Sequence, residues 1–148
     1  MKRLIFLLCC SFMLSCQSQS PAVKRKSLES DQYYFIGKWK LVEETYKDGE
    51  ISKIYPLHEC TKKTTLLFEK ENGNIFFIKK YANGKNCEII SSSARNLVTI
   101  NKNSFSYMDA DLKENKQFRI ISKNRFSILY NDIIYGKVTA IEDIYERQ

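Results

Sequence analysis

From Ile36 onward the chain is cut by polar turn signals into short segments rich in Val, Ile, Thr, Phe and Tyr, few of which keep a helical period. This punctuation constrains the fold more than any other feature. It excludes a helical bundle and points to antiparallel sheet. The sharpest signal is Asn72-Gly73, set between segments 61–71 and 74–81. Asn-Gly readily adopts the positive φ angles of a type I′ turn, so these two segments read as a hairpin. Lys47-Asp48-Gly49-Glu50, Ala82-Asn83-Gly84-Lys85 and Lys123-Asn124 mark further turns. Composition supports sheet: nine Phe, nine Tyr and one Trp stand against five Gly and two Pro, and flat or branched side chains suit a pleated surface. With 148 residues the chain supports one domain, and its 43% hydrophobic content excludes wholesale disorder.

Alternation along segment 38–46 places Trp39 and Leu41 on one face, with Lys38, Lys40 and Glu44 on the other. Glu43 falls beside Leu41 on the inward side, lining a polar mouth or lying at its rim. Further strands are expected at about 96–101, 104–110, 117–122 and 125–130. The inward candidates are Leu66, Phe68, Phe76, Ile78, Phe105, Tyr107, Phe118, Ile120, Phe126, Ile128 and Tyr130. Segment 133–138 reads as a strand, whereas Ile141, Ile144 and Tyr145 also fit a helical face; a final strand is favoured. The expected fold is all-β: a small antiparallel up-and-down barrel of about eight strands, since closure buries the apolar face and removes exposed edges.

Ahead of this domain, Lys2 and Arg3 precede an apolar run at 4–14, the charged-then-apolar order of an export signal, too short to span a bilayer. Met13-Leu14-Ser15-Cys16 resembles the lipobox of bacterial lipoproteins. That resemblance implies cleavage before Cys16 and acylation of its thiol, dividing the chain into a signal peptide at 1–15, a tether at 16–34 and a barrel at 35–148. The alternative is an ordinary signal peptide with an incidental cysteine. Residues 17–34 are polar, carry Lys24-Arg25-Lys26 and lack an apolar period, as a flexible tether would. No acidic cluster follows Cys16 of the kind that resembles a surface-export signal, so an outer-membrane protein facing the periplasm is expected. Removing the signal leaves 22 basic and 17 acidic side chains, a formal charge of +5. The basic residues are scattered among acidic ones without a stripe, so nucleic acid is not indicated.

Ile36-Gly37-Lys38-Trp39-Lys40-Leu41-Val42, the cysteines in His58-Glu59-Cys60 and Gly84-Lys85-Asn86-Cys87, the strand Thr64-Thr65-Leu66-Leu67-Phe68 and the closing Tyr145-Glu146-Arg147 resemble the lipocalin-like lipoproteins of Bacteroidetes-type bacteria. The resemblance implies that Trp39 closes one barrel end beneath Arg147; a plain core Trp with a solvated Arg147 is the alternative. It also implies a small apolar ligand held inside the barrel, with Leu41, Phe68, Phe76, Tyr107, Phe118 and Tyr130 as the lining candidates.

Cys60 and Cys87 are the two cysteines left after processing, and in an oxidising compartment they are expected to pair. In the chain-entropy model that bond contributes about 3 to 4 kcal/mol. Redox catalysis would need a close CxxC and an electropositive helix start, and neither is visible. His58 is the sole histidine, which leaves hydrolase triads and metal sites short of partners; a solvated or loop-capping role is expected. Asp109, Asp111 and Asn115 echo the start of a calcium loop but lack its central glycine and its bidentate glutamate, so they read as a hairpin loop. No cofactor, catalytic group or metal is assigned. The expected protein is a monomer and not an enzyme. Its function is either ligand binding inside the barrel, or binding of a protein or envelope component by the outer surface of a packed barrel.

Overall fold

The computed structural model describes residues 33–148. The signal peptide, Cys16 and almost all of the tether lie outside the described residues. Ten strands follow one another: β1 (Gly37–Asp48), β2 (Ile51–Tyr55), β3 (Thr65–Glu71), β4 (Asn74–Asn83), β5 (Ile89–Ser92), β6 (Asn96–Ile100), β7 (Ser104–Asp109), β8 (Leu112–Ser122), β9 (Arg125–Ile134) and β10 (Lys137–Arg147). Hydrogen-bonded neighbours run β10-β9-β8-β7-β6-β4-β3-β1, and β10 pairs back onto β1. The sheet therefore closes on itself with eight strand positions. The two remaining strands extend positions already taken: β2 pairs with β1 at Glu44–Asp48 above β3, and β5 pairs with β4 at Lys80–Asn83 above β6.

Turn chemistry sets the register. Asn72 and Gly73 have φ of 50° and 82°, the two positive values of a type I′ turn, and Glu71 pairs with Asn74. That turn brings Phe68 opposite Phe77 and Glu69 opposite Phe76. Phe77 and Ile75 therefore point inward, and the expectation for Phe76 and Ile78 is corrected. The Phe76 ring lies on the outer wall beneath the Arg95 guanidinium at 3.6 Å, and Arg95 is itself held by Glu69 and Glu71. Four consecutive apolar residues hide their phase, and the length of the turn decides it.

The expectation for Glu43 is also corrected. Leu41 pairs with Tyr145 and Glu43 with Ile144, so Val42 is the extra residue of a bulge. Beyond the bulge the alternation shifts by one. Glu44 and Tyr46 point inward, opposite Asp143 and Ile141, and Glu43 points outward. Residues 61–63 form a 3-10 turn rather than the start of a strand. Ile120, two residues from the end of β8, is 40% exposed instead of buried. Segment 133–138 is a hairpin rather than a strand: Tyr135 and Gly136 have φ of 52° and 76°, and Ile134 pairs with Lys137 across them. The favoured final strand is present as β10.

The core fills the lower half of the barrel. Trp39, Phe35, Phe68, Phe105 and Phe126 are essentially inaccessible, and Leu41, Leu66, Phe77, Phe118, Ile128 and Tyr145 surround them. Phe35 meets Phe118 at 4.7 Å and Phe126 at 5.1 Å between ring centroids, both edge to face. Such pairs contribute about 0.5 to 1.5 kcal/mol beyond their area burial.

Candidate functional site

At the closed end the chain enters through Tyr34-Phe35-Ile36 and leaves through Arg147. The Trp39 indole donates to the Phe35 carbonyl at 2.7 Å. The Arg147 guanidinium lies 4.2 Å over the Trp39 ring and donates to the carbonyls of Ile36, at 2.7 Å, and Tyr34. Gly37 is needed here: its φ is 123°, and a Cβ would stand 3.1 Å from the Arg147 Nη1. The cation, the indole and the first-strand backbone thus form one plug across the barrel floor.

The opposite end is open and polar. Beyond Leu41 the inward residues change from hydrocarbon to Glu44, Tyr46, Lys79, Tyr107, Tyr130, Asp132 and Asp143, as the alternation of β1, β4, β7, β9 and β10 dictates. Glu44 and Asp143 are directly opposed across β1 and β10. Among the described residues, no Lys or Arg lies within salt-bridge distance of either. Burial pushes the Asp143 carboxyl up to about 6, against the hydroxyls that Tyr130 and Tyr145 donate to it at 3.3 and 3.4 Å and the more distant charge of Lys79. Burial also raises Glu44, and the neighbouring charges of Asp143 and Asp132 add to this. The Tyr107 hydroxyl is pushed up to about 12, first by burial and then by Glu114 and Asp109.

Two clefts flank the segment that leads out of β2. One, of about 660 Å³, is lined by Glu44, Tyr55, Pro56, Leu57, His58, Glu59 and Thr61 and opens beside the mouth. The other, of about 410 Å³, lies over the part of β1 that pairs with neither β2 nor β3, and is bordered by Leu41, Val42, Ile54 and Lys62. Leu57 reaches from this segment into the core cluster. Cys60 is bonded to Cys87 with a Cα separation of 4.9 Å, joining the segment to the β4–β5 connection. The Nδ1 of His58 accepts the Cys60 backbone N–H at 3.2 Å, which caps the loop. The side-chain ligand atoms of His58, Cys60 and Cys87 lie within 4.8 Å of one another, but the two sulfurs are spent on each other.

The residues singled out in the sequence fall into three sets. Leu41, Phe68 and Phe118 belong to the packed lower core, Tyr107 and Tyr130 stand half-buried above it, and Phe76 is on the outer wall. Asp109 ends β7, Asp111 lies in the two-residue β7–β8 turn, and Asn115 lies within β8. Sequence reasoning placed Glu44 on the outer face, which the bulge at Val42 corrects, and missed Asp143. For Asp143 the signal was present, because it alternates with Ile141 and Tyr145.

No curated protein matches the chain. Among solved structures, lobster apocrustacyanin A1 is similar at 14% identity and a TM-score of 0.44, over 85% of this chain and 69% of the lobster chain. The family model of the lipocalin-like domain matches residues 35–128. The chain belongs to the lipocalin-like domain family.

Proposed function

We propose that this protein is an exported lipoprotein, anchored through Cys16, whose barrel holds one small, largely apolar molecule at its open end. The observation that carries the ligand reading is the cleft of about 660 Å³ between Glu44 and residues 55–61. Its size falls within the range of small-molecule sites, and it stands above an aromatic floor. The floor itself is full, so the molecule sits in the upper half: its apolar part lies against Tyr55, Pro56 and Leu57, and its polar end faces Glu44, His58 and Glu59. The anchor reading is supported by the charged-then-apolar segment ending in Ser15-Cys16. Among the described residues no helix is long and apolar enough to cross a membrane. In this reading the protein is a monomer on the outer membrane, faces the periplasm and performs no catalysis.

A second reading, a barrel acting through its outer surface, is favoured by the aromatic packing of the lower half. Titration of the purified protein with environment-sensitive apolar probes separates the two. Saturation at one site, with a melting temperature that rises with ligand concentration, supports the ligand reading. Absence of saturation across fatty acids, isoprenoids and haem-like molecules supports the surface reading. Mass spectrometry that finds no lipid on Cys16 overturns the anchor.

A further inference from the structure

The two ends of the barrel differ in polarity at their turns. At the closed end the turns are Asn72-Gly73, Asn101-Lys102-Asn103 and Lys123-Asn124. The exposed apolar residues near this end are Ile120 at 40%, Ile121, two residues before Lys123, at 44%, and Tyr33 at the chain entry at 52%, each less exposed than those at the opposite rim. At the open end each of the four hairpin connections carries a large apolar side chain in water: Ile51 beyond the β1–β2 turn, Ile89 after the β4–β5 connection, Leu112 beyond the β7–β8 turn, and Ile133, Tyr135 and Val138 around the β9–β10 turn. Their exposures run from 56% for Ile89 to 84% for Tyr135, at the tip itself. Scattered surface apolar residues are ordinary; one at every tip of one rim is a patterned surface.

We infer that the open rim docks onto the interface of a lipid bilayer, with its hairpin tips among the headgroups and upper acyl chains. Apolar side chains spread over separate tips form no groove, and such a spread fits a bilayer interface better than a peptide or a single protein knob. Lys113 and Lys137 directly follow Leu112 and Gly136, at the depth where an ammonium on an apolar stem reaches lipid phosphate. Asp48 and Glu50 at the β1–β2 turn, Glu88 in the β4–β5 connection and Asp111 at the β7–β8 turn share this rim with the lysines, so the matching surface is zwitterionic rather than densely anionic. Chain length permits this orientation although the chain enters at the closed end. The 17 residues from Gln17 to Tyr33 can extend about 55 to 60 Å. The longest strand has 12 residues and spans about 40 Å before its tilt is counted. An anchor at Cys16 therefore leaves the mouth free to face the same membrane. This last step rests on the anchor reading; the pattern of the tips does not.

The test uses the full chain reconstituted in vesicles of phosphatidylcholine, brominated or not along the acyl chains, with tryptophan reporters Tyr135→Trp and Leu112→Trp on two different tips and Lys123→Trp at the closed end. Trp39 is buried and gives a constant background. Docking predicts about a twofold loss of reporter emission at both tips in brominated vesicles and no loss at Lys123→Trp, since interfacial insertion reaches only about 5 to 10 Å. Equal quenching at both ends, quenching at the closed end alone, or quenching nowhere overturns the inference. A rim that binds a protein instead gives the last of these results. Because lipid on Cys16 is read separately by mass spectrometry, failure of the anchor and failure of the docking are distinguishable.

Discussion

Replacing Asp143 by asparagine isolates the cost of placing a carboxylate inside the barrel. In the folded protein Asp143 holds its proton up to about pH 6, whereas its ordinary value is 3.8. Between these values the folded state binds more protons than the unfolded chain, so stability falls as pH rises and the full deficit is present above pH 6. The interval of roughly two pH units corresponds to about 3 kcal/mol. The asparagine side chain has nearly the same shape, can still accept a hydroxyl from Tyr130 or Tyr145, and carries no charge. At pH 7.5, Asp143→Asn is expected to be more stable than the parent by about 2 to 3 kcal/mol, a rise of about 10 °C in Tm for a domain of this size. At pH 4 the two proteins should nearly coincide. Glu44 faces the same position and its own raised value contributes a slope of the same sign, so some pH dependence persists in the variant, reduced by loss of the Asp143 charge. Urea titrations from pH 4 to 7.5 measure the difference directly. Parallel stability curves for the two proteins, or a variant less stable at pH 7.5, would refute the reasoning.

Three further outcomes follow from the geometry. Phe76→Glu should cost less than about 1 kcal/mol and keep the sheet signal in circular dichroism, whereas Phe77→Glu should unfold the protein, because the first points to solvent and the second into the core. Arg147→Met removes the cation over Trp39 and two bonds to backbone carbonyls; chemical denaturation should show a loss of about 2 to 4 kcal/mol, only partly recovered in Arg147→Lys. Peptide mapping without reductant should recover Cys60 joined to Cys87, and reduction should lower the unfolding free energy by about 3 to 4 kcal/mol without abolishing the sheet signal in the cold.

Much of the architecture could be read from local chemistry. Asn72-Gly73, Lys123-Asn124 and Lys47-Asp48-Gly49-Glu50 stand where the chain reverses, because few residue pairs accept the backbone angles that a tight hairpin demands. Tyr135-Gly136 was overlooked because tyrosine is an uncommon residue at positive φ. The phase of Ile75-Phe76-Phe77-Ile78 was recoverable by counting back across the two-residue turn from Phe68, but not from hydrophobicity, which is uniform there. The polar upper chamber was least legible. Its position depends on the single extra residue at Val42, and a bulge leaves no mark in composition: Val-Glu-Glu-Thr reads equally well in either phase. The pairing of Glu44 with Asp143 depends further on β1 meeting β10, a contact between the two ends of the domain that no local pattern encodes.

That same pairing governs how the molecule can be made. Seven of the eight seams of the closed circuit join neighbours in the strand succession, allowing for the extensions β2 and β5, and can zip as the chain appears; the eighth, β1 with β10, brings Trp39 to Arg147. Until those last residues are available the product is an open sheet with two long unpaired edges, its aromatic face uncovered on one side, and closing so large a loop is slow. The vulnerable period of this protein is therefore set by its C-terminus. A chain cut just before Tyr145 would lose the Arg147 plug and the lower rungs of the closing seam at once, leaving a species that pairs with its own kind instead of with itself.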